Sequence, residues 1–206
     1  MNRPKQLLRA TAAVAIALAA LCALTTGASA VQLRSWSFDT TQQDWDESVP
    51  FAPDQPNCPQ DEGWIGWDSS TGSPSPGTLA FHVRSPPGEF SYQCGLYARS
   101  GLVAVGGGSV TAGFTRRTVL STGNSRTFDE GVGVRFFDSS RAEISFQPVH
   151  STTSVGGGWS RTSGTVPTPP GTAYVAAYAY WNLEVDVTGL GGAFYRQFID
   201  NVTLDS

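Results

Sequence analysis

The chain has 206 residues with 13 basic and 17 acidic side chains, and three of the bases fall in its first 30 residues. Residues 31–206 therefore carry ten arginines against seventeen acids, a net charge of −7, which argues against nucleic acid and anionic membranes and leaves neutral and cationic partners open. The 176 residues left after residue 30 suffice for one domain with a full core and are too few for two.

Residues 1–30 read as a secretory signal peptide. Arg3, Lys5 and Arg9 form a positive segment, an Ala/Leu-rich run follows, and Ala28-Ser29-Ala30 is an A-x-A cleavage signal. The apolar run is shorter than the roughly 20 residues of a membrane-spanning helix, and Leu21 before Cys22 does not fit a lipid-attachment box. We expect an exported protein, extracellular or periplasmic, monomeric and without membrane insertion. Export leaves two cysteines, Cys58 and Cys94, and an even pair in an oxidising compartment is most simply a disulfide. It closes a loop of 36 positions, worth about 4 kcal/mol of chain entropy.

In chain order, Leu33–Asp39 reads as a first strand ending in an acid. The Pro/Gly/Asp/Ser-rich stretch from Asp44 to Gly77 shows no sustained period, although it holds Trp45, Trp64 and Trp67, and is expected to be a long stapled loop. Thr78–Arg84 alternates, with Leu79, Phe81 and Val83 inward and His82 and Arg84 outward. Tyr92–Ala98 is a short strand, and Ser109–Thr115 buries Val110, Ala112 and Phe114. Gly131–Asp138 buries Val132, Val134 and Phe136 and turns Arg135 and Phe137 the other way. Ala142–Val149 pairs with it after a turn, and a more polar strand begins at Trp159. Ala173–Trp181 sets Val175, Ala177 and Ala179 against Tyr174, Tyr178 and Tyr180, ending at Trp181. The last strand, Phe194–Leu204, has Phe198, Val202 and Leu204 inward with Asp200 between them. About nine short strands without a helical period predict an all-β antiparallel sandwich or barrel.

A buried Asp200 is costly unless bonded or bound to a cation. If the first and last strands lie side by side, Asp39 and Asp200 meet; the alternative is that backbone N–H groups or an arginine satisfy Asp200.

Four features coincide: Phe38-Asp39 with Trp45 a few residues on; the LAFHV strand at 79–83; Trp159, Gly164-Thr165, Pro169 and Gly171; and Phe198-Ile199-Asp200-Asn201-Val202-Thr203-Leu204 at the end. Together they resemble the carbohydrate-binding modules of the CenC type, in the galactose-binding-like superfamily. The resemblance implies a jelly-roll β-sandwich, a poly- or oligosaccharide partner and a structural Ca²⁺ near the paired termini, with Asp39 and Asp200 matching by position. It also assigns Trp36, Trp45 and Trp159 to the framework.

Sugar-holding surfaces use flat rings flanked by groups that hydrogen-bond hydroxyls. Tyr178 and Tyr180, two apart on one strand face, Trp181 at the expected strand end and Arg135 are candidates for a groove, or else the tyrosines pack under a crossing segment. Trp64 and Trp67 are the other candidates, either as exposed rings or as a cover over the cysteine pair. No catalytic constellation is evident: His82 and His150 are isolated, and adjacent acids such as Asp129/Glu130 point to opposite faces of a strand. The expected function is non-catalytic glycan binding; the rivals are an adhesion protein using the same sandwich as an interface and a small glycan-active enzyme.

Overall fold

The computed structural model describes residues 31–46, 63–85, 90–120, 126–152, 157–187 and 193–206. Residues 1–30, expected to be a signal peptide, and Cys58, hence the expected disulfide pairing, lie outside the described residues. All regular structure among them is β: β1 Gln32–Trp36, β2 Gly63–Asp68, β3 Thr78–Ser85, β4 Phe90–Arg99, β5 Val103–Ala104, β6 Ser109–Leu120, β7 Arg126–Phe137, β8 Glu143–Thr152, β9 Ser160–Pro167, β10 Tyr174–Val187 and β11 Ala193–Asp205.

These form an antiparallel β-sandwich. The first sheet has the order β2-β3-β11-β6-β9 with β1 on β11; the second has the order β4-β10-β7-β8 with β5 beside β10. The termini meet as expected, with Ser35 opposite Thr203 and Trp36 opposite Val202. Between the sheets lie Trp36, Phe38, Trp45, Phe81, Phe114, Phe136 and Trp181 together with the aliphatics of the same inward positions. Burying each such side chain stabilises the fold by about 1.5–3 kcal/mol.

Three expectations are corrected. The stretch read as an unstructured loop contains β2, an edge strand hydrogen-bonded to β3; its alternation is broken by Gly66, which hides the period. Strand β10 continues to Val187, and the inward series Val175, Ala177, Ala179 runs on through Trp181 and Leu183. Finally, Phe198 faces out of the sandwich and Ile199 faces in. A bulge between Asp200 and Thr203, with Asn201 at φ 46°, inserts an extra residue and shifts the pleat. Val202 and Leu204 thus return to the core although Phe198 does not share their face.

Candidate functional site

Two outer faces are available for recognition. On the second sheet, Tyr178 and Tyr180 of β10 meet Tyr97 of β4 and Phe146 of β8, with ring centroids 5.1–6.1 Å apart. Arg135 lies 4.0 Å above the Tyr178 ring and pairs with Glu143 at 2.8 Å. Tyr97 donates its hydroxyl hydrogen to Asn182, and Ser151 donates to Asp129 at 2.6 Å. Gly131 makes this layer possible: a Cβ there would stand 2.2 Å from Tyr180 Cζ, so only glycine lets the ring lie down on β7. The layer is closed. Tyr178 is 4% exposed, and Tyr97 and Tyr180 are each 8% exposed. Burial raises all three hydroxyl pKa values, that of Tyr178 to about 12.

The candidates therefore separate. Tyr178, Tyr180 and Arg135 form a packed satellite cluster whose rings cover one another. Trp181, fully buried in the main core, cannot touch a ligand. Its position is corrected for a simple reason: an odd-numbered residue on β10 shares the inward face.

The outer face of the first sheet is different. Trp64 on β2 is 45% exposed and stacks on His82 of β3 at 4.8 Å with rings 4° from parallel. His82 meets Phe198 of β11 edge-on at 6.5 Å, and Phe198 meets Trp159 at 6.3 Å. Four rings thus cross the sheet in one row, open at its Trp64 and Trp159 ends, while Phe198 between them is 3% exposed. Burial, reinforced by the nearby Arg196 charge, lowers the His82 pKa and favours a neutral, stackable imidazole. Trp67 does not join the row. It lies on the other side of β2, 39% exposed at the sandwich edge, with Nε1–H donating to the Phe38 carbonyl at 2.6 Å.

At its Trp159 end the row opens into a cleft of about 560 Å³, whose lining includes Gln43, Ser35, Ser73, Trp159, Arg161 and Asn201. Arg161 lies across Gly113, where a Cβ would approach Nη2 to 2.8 Å. Its guanidinium donates to the Asn201 carbonyl at 3.1 Å and to Thr203 Oγ1 at 3.3 Å. Trp159 is a correction: assigned to the framework with Trp36 and Trp45, it is half-buried on the outer face, whereas those two are 1% and 3% exposed in the core. It immediately precedes β9, so it is tied to the sheet without being inside it. Trp159, Phe198 and Arg161 were not among the predicted binding residues, and His82 was predicted only to face outward. Only the cross-strand registers of β2, β3, β11, β6 and β9 bring them together.

No protein-family model and no curated protein matches this chain. Among solved structures it is similar to the CBM22-1 xylan-binding domain of Paenibacillus barcinonensis Xyn10C, with a TM-score of 0.50 and 13% identity over 85% of this chain and 94% of that one. The CBM22-1–CBM22-2 tandem of the same protein gives a TM-score of 0.51 and 17% identity over 89% of this chain and 51% of that one. The chain shares with these domains an antiparallel β-sandwich of two sheets. At these identities the likeness establishes architecture only and assigns neither a superfamily nor the CenC type that the motifs resemble.

The sandwich also frames the acid pair. Asp200, 1% exposed at the β11 bulge, accepts the Ser73 N–H and the Asn201 N–H, each at 2.7 Å. Asp39 accepts Ser75 Oγ at 2.8 Å. Desolvation raises the Asp200 pKa to about 6, with the Asp39 charge adding to the rise. Backbone N–H groups thus bond Asp200 on both oxygens, yet the two carboxylates still feel one another. The backbone N–H bonds are the alternative expected for a buried Asp200, and the Asp39 charge is the smallest of the influences on it. Among the described residues no third acid, histidine or cysteine joins them, so further Ca²⁺ ligands would be main-chain oxygens and water.

Proposed function

We propose that this is an exported, disulfide-closed, non-catalytic glycan-binding protein that holds a saccharide on Trp64 and Trp159, the two ends of a ring row whose buried base is Phe198, and in the cleft beside Arg161. The observation that carries the reading is the continuity of that row, exposed at Trp64, with a cleft whose volume lies within the range of small-ligand sites. Flat rings cover the apolar C–H faces of pyranoses, while Gln43, Ser35 and Arg161 supply hydrogen-bonding groups. The fold likeness to xylan-binding domains supports the same class of ligand. Because the rings are fixed by strand pairing, binding requires little rearrangement.

Affinity electrophoresis and pull-down against a panel of neutral and acidic polysaccharides test this. Retention by at least one polysaccharide without release of reducing ends is the expected result. Retention by none favours a protein–protein interface on the exposed tryptophans, and product formation means an enzyme.

A structural Ca²⁺ on Asp39 and Asp200 belongs to the same proposal. Without the ion, a carboxyl titrating at about 6 in the folded chain against 3.8 ordinarily holds its proton more tightly folded than unfolded. Its contribution to stability is present below about pH 4 and is lost as pH rises through about 6. In EGTA, Asp200→Asn should therefore gain in Tm relative to the parent across this interval. Millimolar Ca²⁺ should raise the parent's Tm by about 5 °C or more if it saturates the site and leave Asp200→Asn unmoved. Equal Ca²⁺ shifts in both proteins would remove the site.

A further inference from the structure

Resting on the glycan reading above, we infer that the ligand of this face is an acidic polysaccharide, one whose sugar rings carry uronate carboxylates. Although residues 31–206 have a net charge of −7, the outer face of the first sheet gathers guanidinium groups among its rings. Arg196 stands opposite His82, Arg117 opposite Phe198, and Arg161 opposite Thr115. Among the described residues, arginine–carboxylate pairs are Arg34–Asp44, Arg116–Glu130 and Arg135–Glu143; none uses these three arginines.

The hydrogen bonds of Arg117 and Arg161 go to neutral acceptors. Arg117 Nε donates to the Gly157 carbonyl at 3.0 Å, and Arg161 donates to the Asn201 carbonyl and the Thr203 hydroxyl. A guanidinium has five N–H donors, so each keeps donors for a ligand. Asp68, which shares this face near Arg196, takes the Ser70 N–H at 2.8 Å and Ser70 Oγ at 2.6 Å, both on Oδ1, and its charge acts on Arg196 without a direct ion pair. Asp200, next to the cleft, is buried under the Ser73 and Asn201 N–H groups.

A surface with three arginines and one partly bonded carboxylate, Asp68, carries more positive than negative charge and suits a ligand that brings its own negative charge. The planar fork of arginine binds carboxylate in two-point fashion. The rings decide in favour of a saccharide over a polyanion lacking sugar rings, since Trp64 and Trp159 add stacking surface between the charges. The two features select one class of polymer together.

The test uses glucuronoxylan, alginate and polygalacturonate, each paired with its carboxyl-reduced counterpart, and polyphosphate as a ringless competitor. At least one acidic member should bind about tenfold or more tighter than its reduced form. The gap should narrow as salt rises from about 50 mM to about 500 mM. The combined variant Arg117→Gln/Arg161→Gln/Arg196→Gln should bring the acidic glycan down to its reduced form's affinity, whereas Arg141→Gln, at an exposed turn of the other sheet, should not. Equal binding of acidic and reduced forms overturns this inference and leaves the glycan reading standing. Displacement by polyphosphate as effective as by the acidic glycan also overturns it. Binding to no polysaccharide of either kind overturns both. The paired comparison on the parent protein decides the question even if the triple variant fails to fold.

Discussion

Glu130→Ala should cost about 3–5 kcal/mol of stability, the range for stripping one partner from a buried ion pair, and lower Tm by on the order of 10 °C in a chain of this size. Glu130 is fully buried between the sheets. It pairs with Arg116 of β6, accepts the Thr118 hydroxyl hydrogen and accepts Gln197 Nε2–H at 3.1 Å. Arg116 reaches on to His150 Nε2 at 3.2 Å, and desolvation lowers the Arg116 pKa. The network therefore bridges β6 and β11 of one sheet to β7 and β8 of the other. Removing the carboxylate leaves a guanidinium with 14% of its side-chain surface exposed facing no counter-charge. Arg116→Met/Glu130→Leu, which removes both charges and refills the volume, should recover most of the loss, because apolar replacement of a whole buried pair is often neutral or stabilising. Denaturant melts of the three proteins check this. A single variant within about 0.5 kcal/mol of the parent, the scale of an ordinary surface change, would mean that the pair contributes nothing.

Trp159→Ala should weaken glycan binding by about 30-fold, the 2 kcal/mol scale of a central aromatic contact, with a small change in Tm. Trp159 forms one wall of the cleft and rests on Phe198 outside the main core. Tyr180→Ala should do the reverse: its ring packs against Tyr178 and Phe146, so Tm falls by several degrees while affinity stays within about twofold. Isothermal titration and thermal melts on the same preparations separate the two. Affinity lost in Tyr180→Ala and kept in Trp159→Ala would move the site to the second sheet.

Residue alternation made much of the sandwich legible. Leu79-Phe81-Val83, Val132-Val134-Phe136 and Val110-Ala112-Phe114 all lie in the core as their spacing implied. The closing strand was half legible: its pairing with β1 follows from apolar spacing, but the bulge beside Asp200 leaves no mark in hydropathy, and so the direction of Phe198 was hidden. Glu130 was hidden for a different reason. Extending the β7 period one step back from Val132 reaches it, but a carboxylate beside Gly131 reads as a turn. The adjacent pair Asp129/Glu130 does divide as a strand demands, one bonded to exposed Ser151 and the other buried. Trp64 and Trp67, close in sequence, went to opposite sides of β2 by the same rule.

By itself the order of residues determined an all-β chain, because period-2 alternation is a local property that strand geometry must obey. It also set the net negative charge. Which side chains share a surface was decided only by tertiary structure, since neighbours across a sheet come from strands far apart in the chain. Trp64, His82, Phe198 and Arg117 sit on four different strands and meet only through their registers. A net-acidic protein thereby acquires one face on which arginines and aromatic rings stand together.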